Sequence, residues 1–214
     1  MMKAIIFDMD GVISDTQKFH AQVESQLLHE VGIAMTPDEI TEKYAGVNDD
    51  VMFAELFKKN KINNISIENI KKRKWDLMTK IIKGNILPIP HATRLIQELS
   101  TSGFFLAIAS SSPKLFIQKV LKELALEKYF PVVASSEEVE HGKPNPEIFL
   151  LASKRLHIDP KECVVIEDGK SGMVGAKKAG MKCIGLVSDV RETYPADILV
   201  TSLGEVTAQK IQNM

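Results

Sequence analysis

Six short apolar runs punctuate the chain, and their spacing constrains the fold more than any other feature. Helical patterns separate the later runs from one another. Strands that alternate with helices form βαβ units, whose strands lie parallel in one sheet. We therefore predict an α/β fold built on a parallel sheet. The predicted strands are Lys3 to Asp8, Phe104 to Ala109, Val132 to Ala134, Cys163 to Glu167, Lys182 to Val187 and Ile198 to Val200.

The stretch after the first predicted strand differs, because it contains several helix signals and no convincing strand. Thr36-Pro37-Asp38-Glu39 is a capping box, and Ser66 can cap the helix that follows it. The two prolines of ILPIP disfavour helix and suit a stiff return to the sheet. We therefore predict an inserted all-helical domain. The predicted boundaries are 1–16 plus 87–214 for the core and 17–86 for the insert.

Two proline pairs mark helix starts in the core. Ser112-Pro113 and Asn145-Pro146 each place a polar side chain before a proline. Proline suits the first helical position, where its missing N–H does no harm, and serine or asparagine suits the cap before it. We therefore predict side-chain caps at Ser112 and Asn145.

Composition narrows the class of partner. The formal net charge of -1 gives no general attraction to nucleic acid or to an anionic membrane. No apolar run approaches the roughly 20 residues that span a bilayer. Cys163 and Cys183 form no CxxC pair, and the histidines show no HxxxH or HExxH spacing. We expect a cytoplasmic protein that binds a small molecule, with no nucleic acid or membrane partner and a monomer as the default state.

Acidic and hydroxyl side chains follow three of the predicted strands. Asp8 and Asp10 follow the first, Ser110 to Ser112 the second, and Glu167-Asp168 the fourth. Ligands of open parallel sheets bind at the carboxyl ends of the strands, so these groups should share one crevice. Like charges about 4 Å apart repel by roughly 4 kcal/mol at a partly buried site, so the cluster needs a cation or a proton. Oxygen ligands favour a hard ion, and Mg²⁺ is the natural choice.

Four ordered motifs resemble those of the haloacid dehalogenase superfamily. FDMDGVISDT is similar to the first motif, the Ser110 region to the second, HGKPNPEIF with Lys143 to the third, and VIEDGKSG to the fourth. The resemblance covers essentially the whole chain. It implies a Rossmann-like parallel-sheet core with an inserted all-helical cap domain, and Mg²⁺-dependent chemistry on a small phosphorylated metabolite.

The resemblance also implies roles for the residues at the strand ends. Asp8 is the expected nucleophile, and Asp10 is the acid/base that protonates the leaving oxygen and then activates water. Ser110 and Lys143 hold and neutralise the phosphoryl oxygens. The implied metal site consists of Asp8, the backbone carbonyl of Asp10 and Asp168, with support from Glu167.

Within the superfamily, a helical cap in this position resembles the group that contains sugar-phosphate phosphatases, phosphoglycolate phosphatase and β-phosphoglucomutase. His20 lies where the mutases carry a histidine linked to cap closure, and Lys74 aligns with a cap lysine. The residues that this resemblance assigns to substrate binding are Gly11, His20, Lys74, Ser111, Ser112 and Lys114.

The likeness to the mutases breaks in YAGVNDD. Mutases bind a second phosphate with an arginine near Asn48 or Asp49, and here acids follow, which would repel phosphate. The favoured function is therefore hydrolysis of a small phosphomonoester, such as a sugar phosphate, through an aspartyl phosphate. A β-phosphoglucomutase-type phosphomutase is the enzymatic alternative. A non-enzymatic phospho-accepting signalling domain ranks lower, because it would need neither the helical insert nor Asp10.

Overall fold

The chain divides into two compact units. The structure, a computed structural model, describes residues 1–44, 47 and 49–214. Met1–Asp15 and Leu87–Met214 form one unit, which we call the core unit, and Thr16–Ile86 forms the other, the helical unit. The first crossing thus falls one residue earlier than the sequence predicts. Asn48, next to the position of the mutase arginine, lies outside the described residues.

Strands alternate with helices through most of the core unit, whose last two strands follow each other with no helix in the described residues between them, and the insert is helical. In chain order the elements are β1 (Ala4–Phe7), α1 (Gln17–Glu30), α2 (Pro37–Tyr44), α3 (Asp49–Asn60), α4 (Ile67–Ile81), α5 (Ala92–Thr101), β2 (Phe105–Ser110), α6 (Lys114–Glu123), β3 (Val132–Ser135), α7 (Glu147–Leu156), β4 (Cys163–Glu167), α8 (Lys170–Lys178), β5 (Lys182–Leu186), β6 (Ile198–Val200) and α9 (Ala208–Gln212). Among the described residues, no helix combines the length and apolar character needed to cross a lipid bilayer.

The sheet is parallel throughout. Over the described ranges, six strands pair in the order β3-β2-β1-β4-β5-β6. This is the doubly wound order of Rossmann-like sheets, in which the chain starts in the middle and builds outward in both directions. The prediction of a Rossmann-like α/β core is therefore confirmed, and each predicted strand is present with small shifts of its ends.

The sheet is buried on both faces, which explains why its strands are continuous apolar runs. Ala4 and Ile6 of β1 belong to a buried cluster that includes Phe149 of α7 and Met173 of α8. Ile5 and Phe7 alternate with them and are equally buried. Because successive side chains of a strand point to opposite faces, burial of all four requires packing on both sides.

The two predicted helix caps in the core unit have different outcomes. Asn145 Oδ1 accepts a hydrogen bond from the Glu147 N–H at 3.1 Å, so this cap is confirmed. The predicted cap at Ser112 is wrong, because α6 begins after Pro113 and the Ser112 side chain makes no capping hydrogen bond to it. The N–H of Lys114 instead donates to the Glu137 carboxylate at 2.9 Å, so the helix start does not need the serine hydroxyl.

The helical unit begins its helices where the sequence predicts. Thr36 and Glu39 form the capping box, with the Glu39 N–H donating to Thr36 Oγ1 at 3.3 Å and the Thr36 N–H to Glu39 Oε2 at 2.8 Å. Ser66 Oγ accepts from the Asn69 N–H at 3.1 Å. Helix α1 packs against α2 and α4. Large apolar side chains, among them Phe53 and Met78, fill the interior of the unit.

The two chain crossings between the units are paired with each other inside the core unit. Ser14 and Pro88 form an antiparallel bridge. The Asp15 N–H donates to the Leu87 carbonyl at 3.0 Å, and the Ile89 N–H donates to the Ile13 carbonyl at 2.9 Å. The outgoing and returning segments therefore leave the sheet side by side; we call them the crossing pair.

Candidate active site

The register of the sheet brings two predicted motifs to the same level. Phe7 of β1 is paired with Ile166 of β4, so Asp8 and Glu167 follow at neighbouring positions. The strand order reverses at this pair, because β2 and β3 lie on one side of β1 and β4 to β6 on the other. Such switch points are where open α/β sheets bind ligands.

Three carboxylates converge at this switch point. Oxygen atoms of Asp8, Glu167 and Asp168 all lie within 4.8 Å of one another. Asp8 is 6% exposed and Glu167 is 3% exposed. Lys143 lies between them, with Nζ 2.5 Å from Asp8 Oδ1 and 2.8 Å from Glu167 Oε2. The cluster thus holds three acids and one base.

One lysine cannot neutralise three carboxylates, and the shifted pKa values of these groups reflect the excess of negative charge. Burial raises the pKa of Asp8 well above its usual value, Glu167 adds to the rise and Lys143 opposes it. Burial, followed by Glu167, raises the pKa of Asp168 to about 8. Burial disfavours the Lys143 ammonium, but Asp8 and Glu167 outweigh this effect and raise the lysine pKa. Two of the three acids therefore favour a proton, or a cation in its place.

A network anchors the loop that carries Lys143. At one end, the Arg155 guanidinium makes two bonds to Glu138, at 2.8 and 3.1 Å. These bonds outweigh the effect of burial and, together with hydrogen bonds from Ser135 and Lys114, lower the pKa of Glu138 to about 2. At the other end, Glu147 Oε2 accepts from the His141 N–H at 3.0 Å. The Lys143 ammonium also lies 5.1 Å from the centre of the buried Phe149 ring, so its position is fixed by packing as well as by charge.

Glu167 lies in a space left open by a glycine. Its Oε1 accepts from the Gly169 N–H at 3.1 Å, at the start of α8. A Cβ atom on Gly172 would lie 2.0 Å from Glu167 Oε2, far inside any real contact. The carboxylate can therefore occupy this position only because residue 172 has no side chain.

Asp10 lies beside the end of the second strand. Ser112 Oγ donates to Asp10 Oδ2 at 2.8 Å, and Ser110 Oγ lies 3.4 Å from the same oxygen. Gly11, the next residue, has φ 90, a left-handed conformation that glycine adopts without strain. The turn at Gly11 thus lets Asp8 and Asp10 belong to one site.

The donor set suits a hard divalent cation. Asp8, Glu167 and Asp168 offer carboxylate oxygens, without sulfur or nitrogen, and oxygen ligands are those that Mg²⁺ prefers. The raised pKa values of Asp8 and Asp168 indicate that the site would gain from a bound cation. The residues present therefore fit Mg²⁺.

A cavity of about 300 Å³ in the core unit adjoins the acids. Gly11 and Asp168 contribute to its wall, together with Pro90, Ser188 and Leu203. Its volume lies at the lower end of the range for small-molecule sites, which is roughly 300–1,000 Å³.

The remaining predicted residues of the core unit lie at the start of α6. Ser111 is exposed. Lys114 Nζ forms an ion pair with Glu138 at 3.3 Å, and its side chain is 46% exposed. Their predicted role in substrate binding stays a prediction.

The helical unit contains the two predicted cap residues. The His20 ring packs edge-to-face on Trp75, with centroids 5.5 Å apart. Lys74 is 1% exposed, and its Nζ forms ion pairs with Glu24 and Asp49, each at 2.6 Å. The proposed contacts of His20 and Lys74 with substrate stay predictions, and two of the three N–H donors of Lys74 already serve these two carboxylates.

Three residues of these networks were not predicted from the sequence: Glu24, Glu138 and Arg155. Glu24 lies 50 positions from Lys74, so no local pattern links them. Arg155 of α7 and Glu138, in the segment that follows β3, are separated by 17 positions, and their contact depends on the packing of α7 beside β3. For Gly172 the sequence does give a signal: the glycines at 169, 172 and 175 indicate loop geometry and close packing, because a glycine inside a helix pattern is unfavourable unless close packing requires it.

Comparison with known families identifies the chain. Residues 5–186 match the family described as haloacid dehalogenase-like hydrolase. The match covers most of the chain, including the strand ends that carry the acids. The chain belongs to the haloacid dehalogenase-like hydrolases, and the predictions of this family and of an enzyme are confirmed.

Individual relatives include both phosphatases and mutases. The chain is 33% identical over 192 residues to a phosphorylated carbohydrates phosphatase of Thermotoga maritima, covering 89% of this chain and 88% of the relative. It is 29% identical to the β-phosphoglucomutase of Bacillus subtilis, covering 97% and 93%. The crystal structure of β-phosphoglucomutase from Clostridium difficile superposes with a TM-score of 0.88 at 27% identity, covering 100% of this chain and 96% of that one.

Proposed function

We propose that the protein is a Mg²⁺-dependent phosphatase that hydrolyses a small phosphomonoester, a sugar phosphate, through an aspartyl-phosphate intermediate. The observation that carries the proposal is the contact of Lys143 with the buried carboxylates of Asp8 and Glu167, which form one cluster with the half-buried Asp168. A nucleophilic carboxylate beside a fixed ammonium and a cation site is the equipment that phosphoryl transfer needs.

The proposed reaction has two steps. Asp8 attacks phosphorus and forms an acyl phosphate while the bond from phosphorus to the substrate oxygen breaks, and Asp10 gives its proton to that oxygen. Asp10 then takes a proton from water, which attacks phosphorus and releases inorganic phosphate and Asp8. Ser110 and Lys143 hold the phosphoryl oxygens through both steps.

The metal complements these residues. Asp8, the backbone carbonyl of Asp10 and Asp168 would hold Mg²⁺, with Glu167 in support. When bound, it would neutralise charge on the phosphoryl oxygens as the phosphoryl group is transferred. Lys143 adds a second positive charge on a rigid support, because its neighbours Asp8 and Glu167 and the ring of Phe149 fix its position.

Two observations favour hydrolysis over the mutase alternative. The phosphatase of Thermotoga maritima is 33% identical to the chain, whereas the mutase of Bacillus subtilis is 29% identical. Within the helical unit, the Lys74 ammonium is already bonded to Glu24 and Asp49, so it adds no net positive charge for a second phosphate. The first observation supports a phosphatase, and the second supports a substrate with a single phosphate.

Phosphorus NMR tests the proposal directly. The purified protein is incubated with Mg²⁺ and a panel of hexose, pentose and nucleotide monophosphates. The panel includes β-glucose 1-phosphate with a trace of glucose bisphosphate. We expect inorganic phosphate to accumulate, fastest with a sugar phosphate. Conversion of the 1-phosphate to the 6-phosphate with little free phosphate would instead establish a mutase.

Replacing the nucleophile is the matching variant. Asp8→Asn should lower kcat at least about 10⁴-fold, as loss of a covalent nucleophile does in other enzymes, while the fold remains intact. The control is Asp189→Asn, which removes a partly exposed carboxylate paired with the exposed Arg191 and should leave kcat unchanged. Turnover by Asp8→Asn near the wild-type rate, with circular dichroism unchanged, would exclude Asp8 as the nucleophile.

A further inference from the structure

The Ser112 hydroxyl points toward Asp10 rather than toward the helix that it precedes. Ser112 Oγ donates to Asp10 Oδ2 at 2.8 Å, across 102 positions of sequence. Ser112 is 2% exposed. At 2.8 Å this is an ordinary O–H···O hydrogen bond between two polar groups, and the donor is buried.

The start of α6 is arranged so that this hydroxyl can serve Asp10. The Lys114 N–H donates to the Glu137 carboxylate at 2.9 Å. The N–H groups of Phe116 and Ile117 both donate to the Pro113 carbonyl, each at 3.0 Å. The N–H of Ser112 itself donates to Ser110 Oγ at 3.1 Å, which fixes the backbone beneath the side chain. These hydrogen bonds at the start of the helix do not involve the Ser112 side chain.

We propose that Ser112 is a positioning residue for Asp10, holding the carboxylate in the orientation for proton transfer, rather than a contact for the substrate phosphate. The inference rests on the proposed function, because it assigns Ser112 a part in the same reaction. It also replaces the substrate-binding role that the sequence predicts for Ser112.

The physical reason lies in the freedom of an aspartate carboxylate. The torsion about its last bond is broad, so the plane of the carboxylate is not set by the rotamer alone. A hydrogen bond from Ser112 to Oδ2 selects one plane. Proton transfer requires a heavy-atom distance of about 2.6–3.2 Å, so a turned carboxylate loses rate even when substrate binds normally.

The test separates kcat from KM with the phosphomonoester that the NMR panel shows to turn over fastest. Ser112→Ala should lower kcat about 10- to 100-fold and leave KM within about twofold, because misplacement by about 1 Å has effects of this size. Ser112→Cys should show the same loss without a cavity, since a thiol is a weak donor. A rise in KM at unchanged kcat would establish a substrate contact and overturn the inference.

A matched control removes another buried serine of the core unit. Ser153 is 2% exposed, and its hydroxyl bonds the Leu150 carbonyl at 3.2 Å. Ser153→Ala should keep kcat and KM. An equal loss of kcat in Ser153→Ala would show that any buried serine has this effect, and would overturn the inference.

A double-mutant cycle asks whether Ser112 acts through Asp10. In an Asp10→Ala background, Ser112→Ala should cause no further loss, because the carboxylate that it positions is gone. The rate measured is the release of inorganic phosphate in a single turnover of 4-nitrophenyl phosphate: this leaving group needs no proton, so the aspartyl phosphate forms in every variant, and its hydrolysis is the step in which Asp10 takes a proton from water. A full further loss in this background would overturn the inference while leaving phosphatase activity established. Absence of turnover by the wild type with every phosphomonoester would overturn the proposed function itself.

Discussion

Gly172 shows how much a single missing side chain matters at the residue scale. It lies in α8, where glycine is less favourable than alanine by about 1 kcal/mol. The Glu167 carboxylate occupies the place of its side chain and from there reaches Lys143 Nζ and the Gly169 N–H. The local loss in helix stability thus accompanies a precise placement of one acid of the site.

Gly172→Ala should therefore harm the site more than the fold. The new Cβ would lie 2.0 Å from Glu167 Oε2, so the carboxylate must turn away and lose its bond to Lys143. We expect kcat/KM to fall at least about tenfold, while the gain in helix propensity limits the loss of stability to about 1–2 kcal/mol. Steady-state kinetics over a Mg²⁺ titration and urea unfolding measure the two effects.

Gly169→Ala is the matched control, because its Cβ would lie at an ordinary 3.4 Å from Glu167 Oε1. It should keep most of the activity of the wild type. Equal losses in the two variants would show that the placement of Glu167 is not what Gly172 provides.

At the scale of elements, one buried ion-pair cluster joins three helices of the helical unit. Lys74 comes from α4, Glu24 from α1 and Asp49 from the first turn of α3. Burial disfavours the Lys74 ammonium, but Asp49 and Glu24 outweigh this effect and raise its pKa. The lysine therefore stays charged over the whole physiological range of pH, and the three helices share one electrostatic contact.

Removing the lysine should leave two carboxylates facing each other. Lys74→Met keeps the length of the side chain, and we expect it to lower the free energy of unfolding of the helical unit by about 3–5 kcal/mol. Trp75, the single tryptophan of the chain, lies in the same unit, so its fluorescence during urea unfolding reports this unit.

Lys71→Met is the control on the same helix. Lys71 pairs with Asp50, with side chains 33% and 56% exposed, and such pairs contribute about 1 kcal/mol or less. If both variants lost the same free energy of unfolding, burial would not explain the contribution of the Lys74 cluster to stability.

The helical unit also marks the limit of local sequence information. The capping box at Thr36 and the cap at Ser66 act over three residues, and both were predicted correctly. Lys74 was recognised from the family resemblance, but its partners lie 25 and 50 positions away. Nothing in the helical periodicity connects such positions, so the two carboxylates that surround Lys74 could be identified only from the three-dimensional structure.

At the scale of the whole molecule, the protonation of the acidic cluster makes the free energy of unfolding depend on pH and on the concentration of metal ion. The pKa values of Asp8 and Asp168 are raised in the folded state, to about 8 for Asp168. A raised folded pKa contributes stability at low pH, and this contribution is lost as pH rises through the folded value. The metal-free core unit should therefore lose stability between about pH 4 and pH 8 from these groups.

Mg²⁺ should reverse this loss by replacing the protons. At 100 times its Kd a ligand adds about 2.7 kcal/mol, which for a chain of this size raises Tm by about 5–10 °C. We expect the increase on adding Mg²⁺ to be larger at pH 8 than at pH 6, and a chelator to abolish it. Differential scanning calorimetry at the two pH values measures the difference.

Asp168→Asn should remove most of the Mg²⁺ effect at both pH values, because it removes a carboxylate of the cluster. An equal rise in Tm at pH 6 and pH 8 in the wild type would contradict the assignment of the raised pKa values to the metal site.

More of the structure of the core unit than of the insert could be predicted from the sequence. Burial of the sheet on both faces makes each strand an apolar run, so six strands were visible in the sequence, and the rule for strand ends placed Asp8 and Glu167 together. The Ser112 cap was wrong because Glu137, from another loop, satisfies the helix start. Competition between distant partners for one hydroxyl is a tertiary property, and a serine followed by proline does not encode it.

The crossing pair has a consequence for how such a chain can change over evolutionary time. Because Ser14 and Pro88 are bridged, whatever chain runs between them enters and leaves through one gap. The entropy needed to close a loop grows only slowly with its length, by about 0.6 kcal/mol for each doubling. One uninterrupted stretch of gene can then be lengthened, shortened or exchanged without touching a strand of the sheet. The helical unit and the acids at the strand ends can therefore be inherited separately.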